Sequence, residues 1–130
     1  MDVRDAMSQT VLTIGPTHTL RQAAKLMAER KVGAAVVLDP DGEGPGILTE
    51  RDVLEALADG QDPDAEICGD HLTPDAVTAE PSWDLDRAAA AMVKGGFRHL
   101  VVCDEREVVG IISVRDIVRV WSTVSAQRSA

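Results

Sequence analysis

The first half of the chain recurs in the second half. Matching positions lie 65 residues apart through most of the chain, as in Thr13 and Thr78. The separation falls to 64 after one residue drops out of a loop, and it then matches Asp52 to Asp116. Agreement on both sides of a loop of unequal length indicates an internal duplication. The fold must therefore contain the same unit twice.

Each copy is predicted to contain a strand, a helix, two strands and a second helix. In the first copy Thr19 is typical of a helix N-cap and Gln22 completes a capping box, while Asp84 takes the cap position in the second copy. Apolar runs at 33–38 and 98–103 have strand length, and each is followed by a turn and another short strand. The second helices, opened by Thr49 and Ser113, are predicted to bury Val53, Leu54 and Leu57 in one copy and Ile117, Val118, Trp121 and Val124 in the other.

This order predicts an α+β fold in which two pseudo-symmetric β-α-β-β-α repeats pack sheet to sheet. The first repeat is expected at 1–57, an acidic linker at 58–66 and the second repeat at 67–121. Residues 122–130 are expected to form a frayed tail.

Charge and hydropathy disfavour several classes of protein. With 22 acids against 13 Lys plus Arg, the net charge is -9, which disfavours binding to nucleic acid and to an anionic membrane surface. No apolar run is long enough to span a bilayer, and the charged segment 1–8 does not resemble a signal peptide. The 2 cysteines are too few for a secreted disulfide scaffold. A cytoplasmic protein with no membrane partner is expected.

A short motif closes both copies, and it carries a family resemblance. GILTERD ends at Asp52 and GIISVRD ends at Asp116. Together with the repeat, this motif closely resembles the tandem CBS (cystathionine beta-synthase) domain pair, also called a Bateman module. The resemblance implies a regulatory or sensor module that binds AMP, ADP, ATP or S-adenosylmethionine in clefts between the two repeats. It also implies a homodimer that acts on an unknown regulated protein.

Asp52 and Asp116 are the central candidates for ligand contact. A carboxylate accepts hydrogen bonds only, so one such group can hold both the 2′- and 3′-hydroxyls of a ribose. Thr49 and Ser113 stand at helix starts, where a hydroxyl and unpaired backbone N–H groups can hold a ribose oxygen or a phosphate. The same spacing is that of a capping box, so both aspartates could instead be local helix caps.

The two copies differ where a phosphate would matter. Arg98 and His99 of the second copy match Gly33 and Ala34 of the first. The Asp116 site is therefore expected to prefer a phosphorylated ligand, although a solvated Arg and a partly buried His are an equal alternative. The remaining candidates for nucleotide contact are Arg51 and Arg115, which precede the aspartates, and the strand residues Thr13, Thr78 and Leu100.

Catalysis is not expected, and neither a cofactor requirement nor a metal site is predicted. The three histidines, His18, His71 and His99, fall at unrelated positions, and no nucleophile motif, P-loop or dinucleotide fingerprint occurs. A metal or redox sensor built on Cys68, Asp70 and His71, with Cys103 joining in space, is one alternative. The repeat matches Cys68 to Val3 and Cys103 to Leu38, which favours small buried hydrophobes. A ligand-free scaffold for dimerisation or partner docking is the other alternative.

Overall fold

Each repeat forms a three-stranded sheet with helices packed on it. The computed structural model describes residues 1–42 and 44–129, and side chains are described as far as residue 124. The helices are α1 Val3–Ala6, α2 Leu20–Arg30, α3 Glu50–Ala58, α4 Leu85–Gly95 and α5 Val114–Ser129, with a 3-10 turn at Cys68–Asp70. The strands are β1 Thr13–Ile14, β2 Ala34–Val37, β3 Gly46–Thr49, β4 Thr78–Ala79, β5 His99–Asp104 and β6 Glu107–Ser113.

The two sheets have the same topology. In the first, β1 runs parallel to β2 and β2 pairs antiparallel with β3; in the second, β4, β5 and β6 repeat this order. Ala34 lies opposite Thr49 in one hairpin, and His99 lies opposite Ser113 in the other. The predicted α+β class, the duplicated element order and both hairpins are confirmed.

The helix starts follow the predicted capping chemistry. Thr19 accepts a hydrogen bond from the N–H of Gln22, and the N–H of Thr19 donates to the Gln22 side chain. Asp84 accepts from the N–H of Arg87 at 2.7 Å. These bonds satisfy backbone donors that the first helical turn cannot pair internally.

The leading segment of each repeat packs into the compact unit that contains most of the other repeat. Met1–Thr10 clusters with the chain from Val77 onward, and Val11–Ala76 forms the other unit. Val3 of α1 is fully buried in the core of the second repeat's sheet and helices. The 3-10 turn contributes Cys68 in the same way to the core around β1–β3. The compact units do not coincide with the repeats along the sequence, because each unit includes the leading segment of the other repeat. The predicted repeat boundaries therefore stay a prediction.

Two regions differ from the sequence prediction. Leu54 and Leu57 of α3 are 65% and 49% exposed, and Val118 and Trp121 of α5 are 53% and 45% exposed, so the prediction of burial is wrong for them. The buried side of α3 is formed by Ala56 with half-buried Val53, about 100° around the helix from the leucines. In α5, Ile117 is buried as predicted and Val124 is half-buried. The segment expected to be a frayed tail continues α5 to Ser129, while Ala130 lies outside the described residues.

The acidic linker is bonded to the first turn of α2. The N–H of Leu20 donates to the carbonyl of Glu66, and that of Arg21 donates to the carbonyl of Pro63. The Arg21 side chain pairs with Asp64, which raises the pKa of that guanidinium through the hydrogen bond and the opposite charge. The linker therefore supplies acceptors to backbone donors at the start of α2.

Candidate functional site

Asp52 is held at the start of α3 by a reciprocal capping box. The N–H and the hydroxyl of Thr49 donate to Asp52 Oδ2 at 2.8 and 3.1 Å, and the N–H of Asp52 donates back to Thr49 Oγ1 at 3.3 Å. Both side chains are partly buried. Both Thr49 donors reach Oδ2, so Asp52 Oδ1 takes no part in the capping box. One carboxylate oxygen is therefore fixed by the cap, and the other is not used by the cap.

Asp116 repeats this arrangement at the start of α5. The N–H and hydroxyl of Ser113 donate to Asp116 Oδ2 at 2.8 and 3.0 Å, and the N–H of Asp116 donates to Ser113 Oγ at 3.1 Å. The second oxygen differs from that of Asp52, because Arg119 Nη2 donates to Asp116 Oδ1 at 2.9 Å. The two aspartates are therefore matched at one oxygen and unmatched at the other.

The helix starts offer fewer unpaired groups than the sequence suggested. The hydroxyls of Thr49 and Ser113 are both engaged with their aspartates. The first helical N–H of α3 donates to the carbonyl of Gly33, and that of α5 donates to the carbonyl of Arg98. The hydroxyls and the first helical N–H groups are therefore already paired, which leaves the carboxylates as the main candidates for ligand contact.

The other candidates lie on strands, on helices and beside them in both repeats. Arg98 is exposed beside the start of α5, and His99 is half-buried opposite Ser113 in the β5–β6 hairpin. Leu100 is fully buried in the core, so its side chain packs there and only its backbone could face a ligand. The remaining candidates are Thr13, exposed on β1; Thr78, half-buried on β4; Arg51, exposed and 3.4 Å from Glu55; and Arg115, exposed in the first turn of α5.

Arg119 was missed by the sequence analysis. Its signal was its spacing, because a side chain three residues after Asp116 on a helix lies on the same face. The repeat hides this residue, since the matching position in the first copy is Glu55. A comparison of the two copies for charge reversals, as well as for identities, would have found it.

The alternative metal cluster does not assemble among the described residues. Cys68 is buried and its Sγ donates to the carbonyl of Thr19 at 3.6 Å, while His71 Nε2 lies 2.9 Å from Glu66 Oε1. Burial raises the pKa of both the Cys68 and the Cys103 thiols, which disfavours the thiolate form that binds metal. In this part of the chain no group of three or more His, Cys, Asp or Glu side chains is placed to hold a metal ion.

None of the helices in the described ranges is both long and apolar enough to cross a membrane.

Known proteins from archaea and bacteria are similar in sequence to this chain. An uncharacterized protein of Methanocaldococcus jannaschii is 33% identical over 117 residues, which cover 90% of this chain and 41% of that protein. The CBS domain-containing protein YhcV of Bacillus subtilis is 34% identical over 119 residues, covering 88% of this chain and 81% of YhcV. The chain thus spans less than half of the archaeal relative and most of the bacterial one.

Solved structures give the same architecture. The CBS domain pair of protein MJ0100, in complex with 5′-methylthioadenosine and S-adenosyl-L-methionine, superposes with a TM-score of 0.85 at 27% identity, covering 95% of this chain and 97% of that one. The hexameric CBS-CP12 protein from bloom-forming cyanobacteria has a TM-score of 0.85 at 30% identity, covering 91% of this chain and 66% of that one. The family model for the CBS domain matches twice, at residues 3–59 and 68–123. The chain therefore belongs to the CBS domain family and carries two CBS domains in tandem.

Proposed function

We propose that this chain is a regulatory module that binds adenosine-containing ligands through Asp52 and Asp116. The ligand class comprises AMP, ADP, ATP and S-adenosylmethionine. Binding would act by shifting the population of two packings of the chain, by no more than the difference in ligand affinity between them. The regulated partner is a separate protein or a further domain. A cytoplasmic location is part of the proposal and rests on the sequence.

The geometry of the two aspartates carries this proposal. In each repeat the backbone and the hydroxyl of the capping residue fix Oδ2, so the carboxylate is already oriented before any ligand arrives. Asp52 then has its second oxygen, Oδ1, outside the capping box. A carboxylate ordered in advance binds a pair of hydroxyls without a further entropic cost for its own side chain. The capping role and ligand contact are compatible, because they use different oxygens.

A structural relative supports the ligand class. The MJ0100 domain pair, which shares this architecture, is in complex with two adenosine compounds, 5′-methylthioadenosine and S-adenosyl-L-methionine. We extend the same class to this chain and propose that the second repeat favours a phosphorylated member. Arg98 and His99 are the basis, because their counterparts Gly33 and Ala34 have no side chain that can donate a hydrogen bond to a phosphate.

Calorimetric titration of the purified chain with ATP, AMP and S-adenosylmethionine tests the proposal. We expect at least one of them to bind. Asp52→Asn and Asp116→Asn keep an oxygen for the cap but remove the charge that strengthens bonds from ligand hydroxyls. Each substitution should weaken binding at its own site by about tenfold or more, the usual value of a hydrogen bond to a charged group.

Asp86→Asn is the matched control, because Asp86 lies in the first turn of α4 and is exposed. This variant changes the net charge equally and should bind like the parent. Parent-like affinity in the double variant Asp52→Asn, Asp116→Asn would show that the aspartates are only caps.

We also propose that the chain assembles as a homodimer through α3, α5 or both. Leu54 and Leu57 lie on one side of α3, and Val114, Val118 and Trp121 follow one face of α5 at spacings of four and three. All five are at least 40% exposed. Exposed apolar groups in such a row are typical of a protein–protein contact.

A further inference from the structure

The two motif aspartates have oppositely charged residues three positions after them. Asp116 Oδ1 accepts a hydrogen bond from Arg119, three residues later on α5. The repeat matches Arg119 to Glu55, which stands three residues after Asp52 on α3. A carboxylate cannot donate to a carboxylate, and Glu55 instead lies 3.4 Å from Arg51. The position three residues after the motif thus carries opposite charges in the two copies.

Burial decides how strongly Arg119 acts. The Asp116 side chain is 15% exposed, whereas the Arg119 side chain is 62% exposed. The carboxylate is therefore fixed in its environment, while the guanidinium at the end of a long chain can swing into solvent. An ion pair with one solvent-exposed partner contributes little to stability, and a bound ligand can offset its loss. Arg119 is thus a displaceable partner of Asp116.

Displacement has a different cost for different ligands. An uncharged nucleoside that takes Asp116 Oδ1 replaces a charge-assisted hydrogen bond with a bond from a neutral hydroxyl. A phosphorylated nucleoside also brings a negative charge, with which the exposed guanidinium of Arg119 can pair. Near Asp52 the situation is reversed, because Glu55 adds negative charge and repels an anionic ligand.

We propose that the residue three positions after each motif aspartate, Arg119 in one repeat and Glu55 in the other, sets the charge of the adenosine ligand that the aspartate accepts. Asp116 then selects anionic, phosphorylated ligands, and Asp52 selects uncharged or cationic ones. This inference rests on the function proposed above. It concerns a pair of residues outside the GILTERD and GIISVRD motifs, and Arg119 acts through Asp116 as well as through its own charge.

The test compares AMP with adenosine in an Asp52→Asn background, where Asp116 is the remaining motif carboxylate. Calorimetry gives the ratio of the two affinities. We expect Arg119→Glu, which restores the charge of the first copy, to lower the preference for AMP by about five- to tenfold, the effect of reversing one exposed charge. Arg119→Lys keeps the charge and should retain most of the preference.

The reciprocal variant uses the other repeat. In an Asp116→Asn background, Glu55→Arg should raise the preference for AMP by a similar factor. Arg106→Glu is the control, because Arg106 is an exposed turn residue between β5 and β6 and its reversal changes the net charge as much. The ratio should stay the same in this control.

The outcomes separate the two proposals. If adenosine and AMP bind but their ratio does not respond to Arg119→Glu, or responds equally to Arg106→Glu, the role of Arg119 is overturned and the proposed function stands. If AMP and adenosine bind the parent no better than the variant that lacks both motif carboxylates, the proposed function fails and this inference fails with it. Thermal unfolding of each variant checks that the fold is retained.

Discussion

Cys68 shows how one buried side chain makes stability depend on pH. It is fully buried in the core around β1–β3, and its Sγ donates a hydrogen bond to the carbonyl of Thr19. Burial raises the pKa of the Cys68 thiol, because the thiolate would lose its hydration. The folded state thus binds this proton more tightly than the unfolded chain does.

The sign of the effect follows from linkage. Stability from Cys68 is fully present below the pKa of an unfolded cysteine, about 8.5, and is lost as the pH rises through the higher folded value. The urea concentration at the midpoint of unfolding should therefore decrease as the pH is raised from 8 to 10. Cys68→Ala should lower stability by about 1 kcal/mol at neutral pH and should flatten this fall.

Cys103→Ala provides the comparison, because Cys103 is only half-buried and lies in the other compact unit. This variant should keep the part of the pH dependence that comes from Cys68. If the urea midpoint decreased with pH as steeply in Cys68→Ala as in the parent, Cys68 would not be the cause of the pH dependence.

The glycines that open the two motifs mark places where one segment crosses another. The N–H of Ser8 donates to the carbonyl of Ile111 at 2.9 Å, which lays the leading segment against β6. A Cβ on Gly110 would lie 2.7 Å from the Met7 sulfur and 2.8 Å from the Ser8 carbonyl oxygen. At Gly46 the nearest atoms would be a Leu72 methyl at 3.0 Å and a backbone oxygen at 3.2 Å. Both motif glycines are therefore explained by packing without a ligand.

Gly110→Ala should destabilise the chain more than Gly46→Ala. The backbone oxygen at 2.8 Å cannot move without breaking the Ser8–Ile111 bridge, so we expect a loss of about 1–3 kcal/mol, the usual cost of overpacking. At Gly46 a shift of a few tenths of an ångström suffices. Urea unfolding gives both values.

Gly15→Ala is the control for these variants, since its nearest contact would be an ordinary 3.6 Å to His18. It should change stability by less than either motif variant. Equal losses in Gly110→Ala and Gly15→Ala would show that the exchanged segment does not restrict β6.

Elements defined by local signals could be predicted from the sequence, and elements defined by distant contacts could not. The caps at Thr19 and Asp84 depend on residues three positions apart, so the sequence contains their whole cause. The exchange of leading segments depends on contacts such as Val3 with the second repeat's core, which no local pattern encodes. The exposure of Leu54 was missed for the same reason, because periodicity gives an apolar face but not its partner.

The candidate site also contains features that the sequence predicted and one that it did not. Asp52 and Asp116 were found because the repeat and the motif mark them, and the cap geometry followed from spacing. The use of the second oxygen was not predicted, because it depends on whether the residue three positions later carries a positive charge and lies against the aspartate. The sequence contains that residue, but the copies carry opposite charges there, so the repeat does not mark the position.

At the scale of the whole molecule, the exposed apolar faces bear on assembly. Trp121 is 45% exposed at the end of the row that begins at Val114. Tryptophan is enriched at the centres of interfaces because it buries a large apolar area with few rotatable bonds. A homodimer that covers this row would place the exposed part of the indole in an apolar contact.

Trp121→Gln should therefore weaken self-association without unfolding the chain, since the indole is only partly packed. Loss of one buried aromatic contact is worth about 1–3 kcal/mol, so the dimer dissociation constant should rise by about tenfold or more. Sedimentation equilibrium over a range of concentrations measures that constant. Val93→Gln is the matched control, because Val93 is a lone valine, 85% exposed on α4, and its replacement should leave the constant unchanged. A parent chain that stays monomeric at the highest concentration, or an equal response of both variants, would mean that the row on α5 is not the contact between copies.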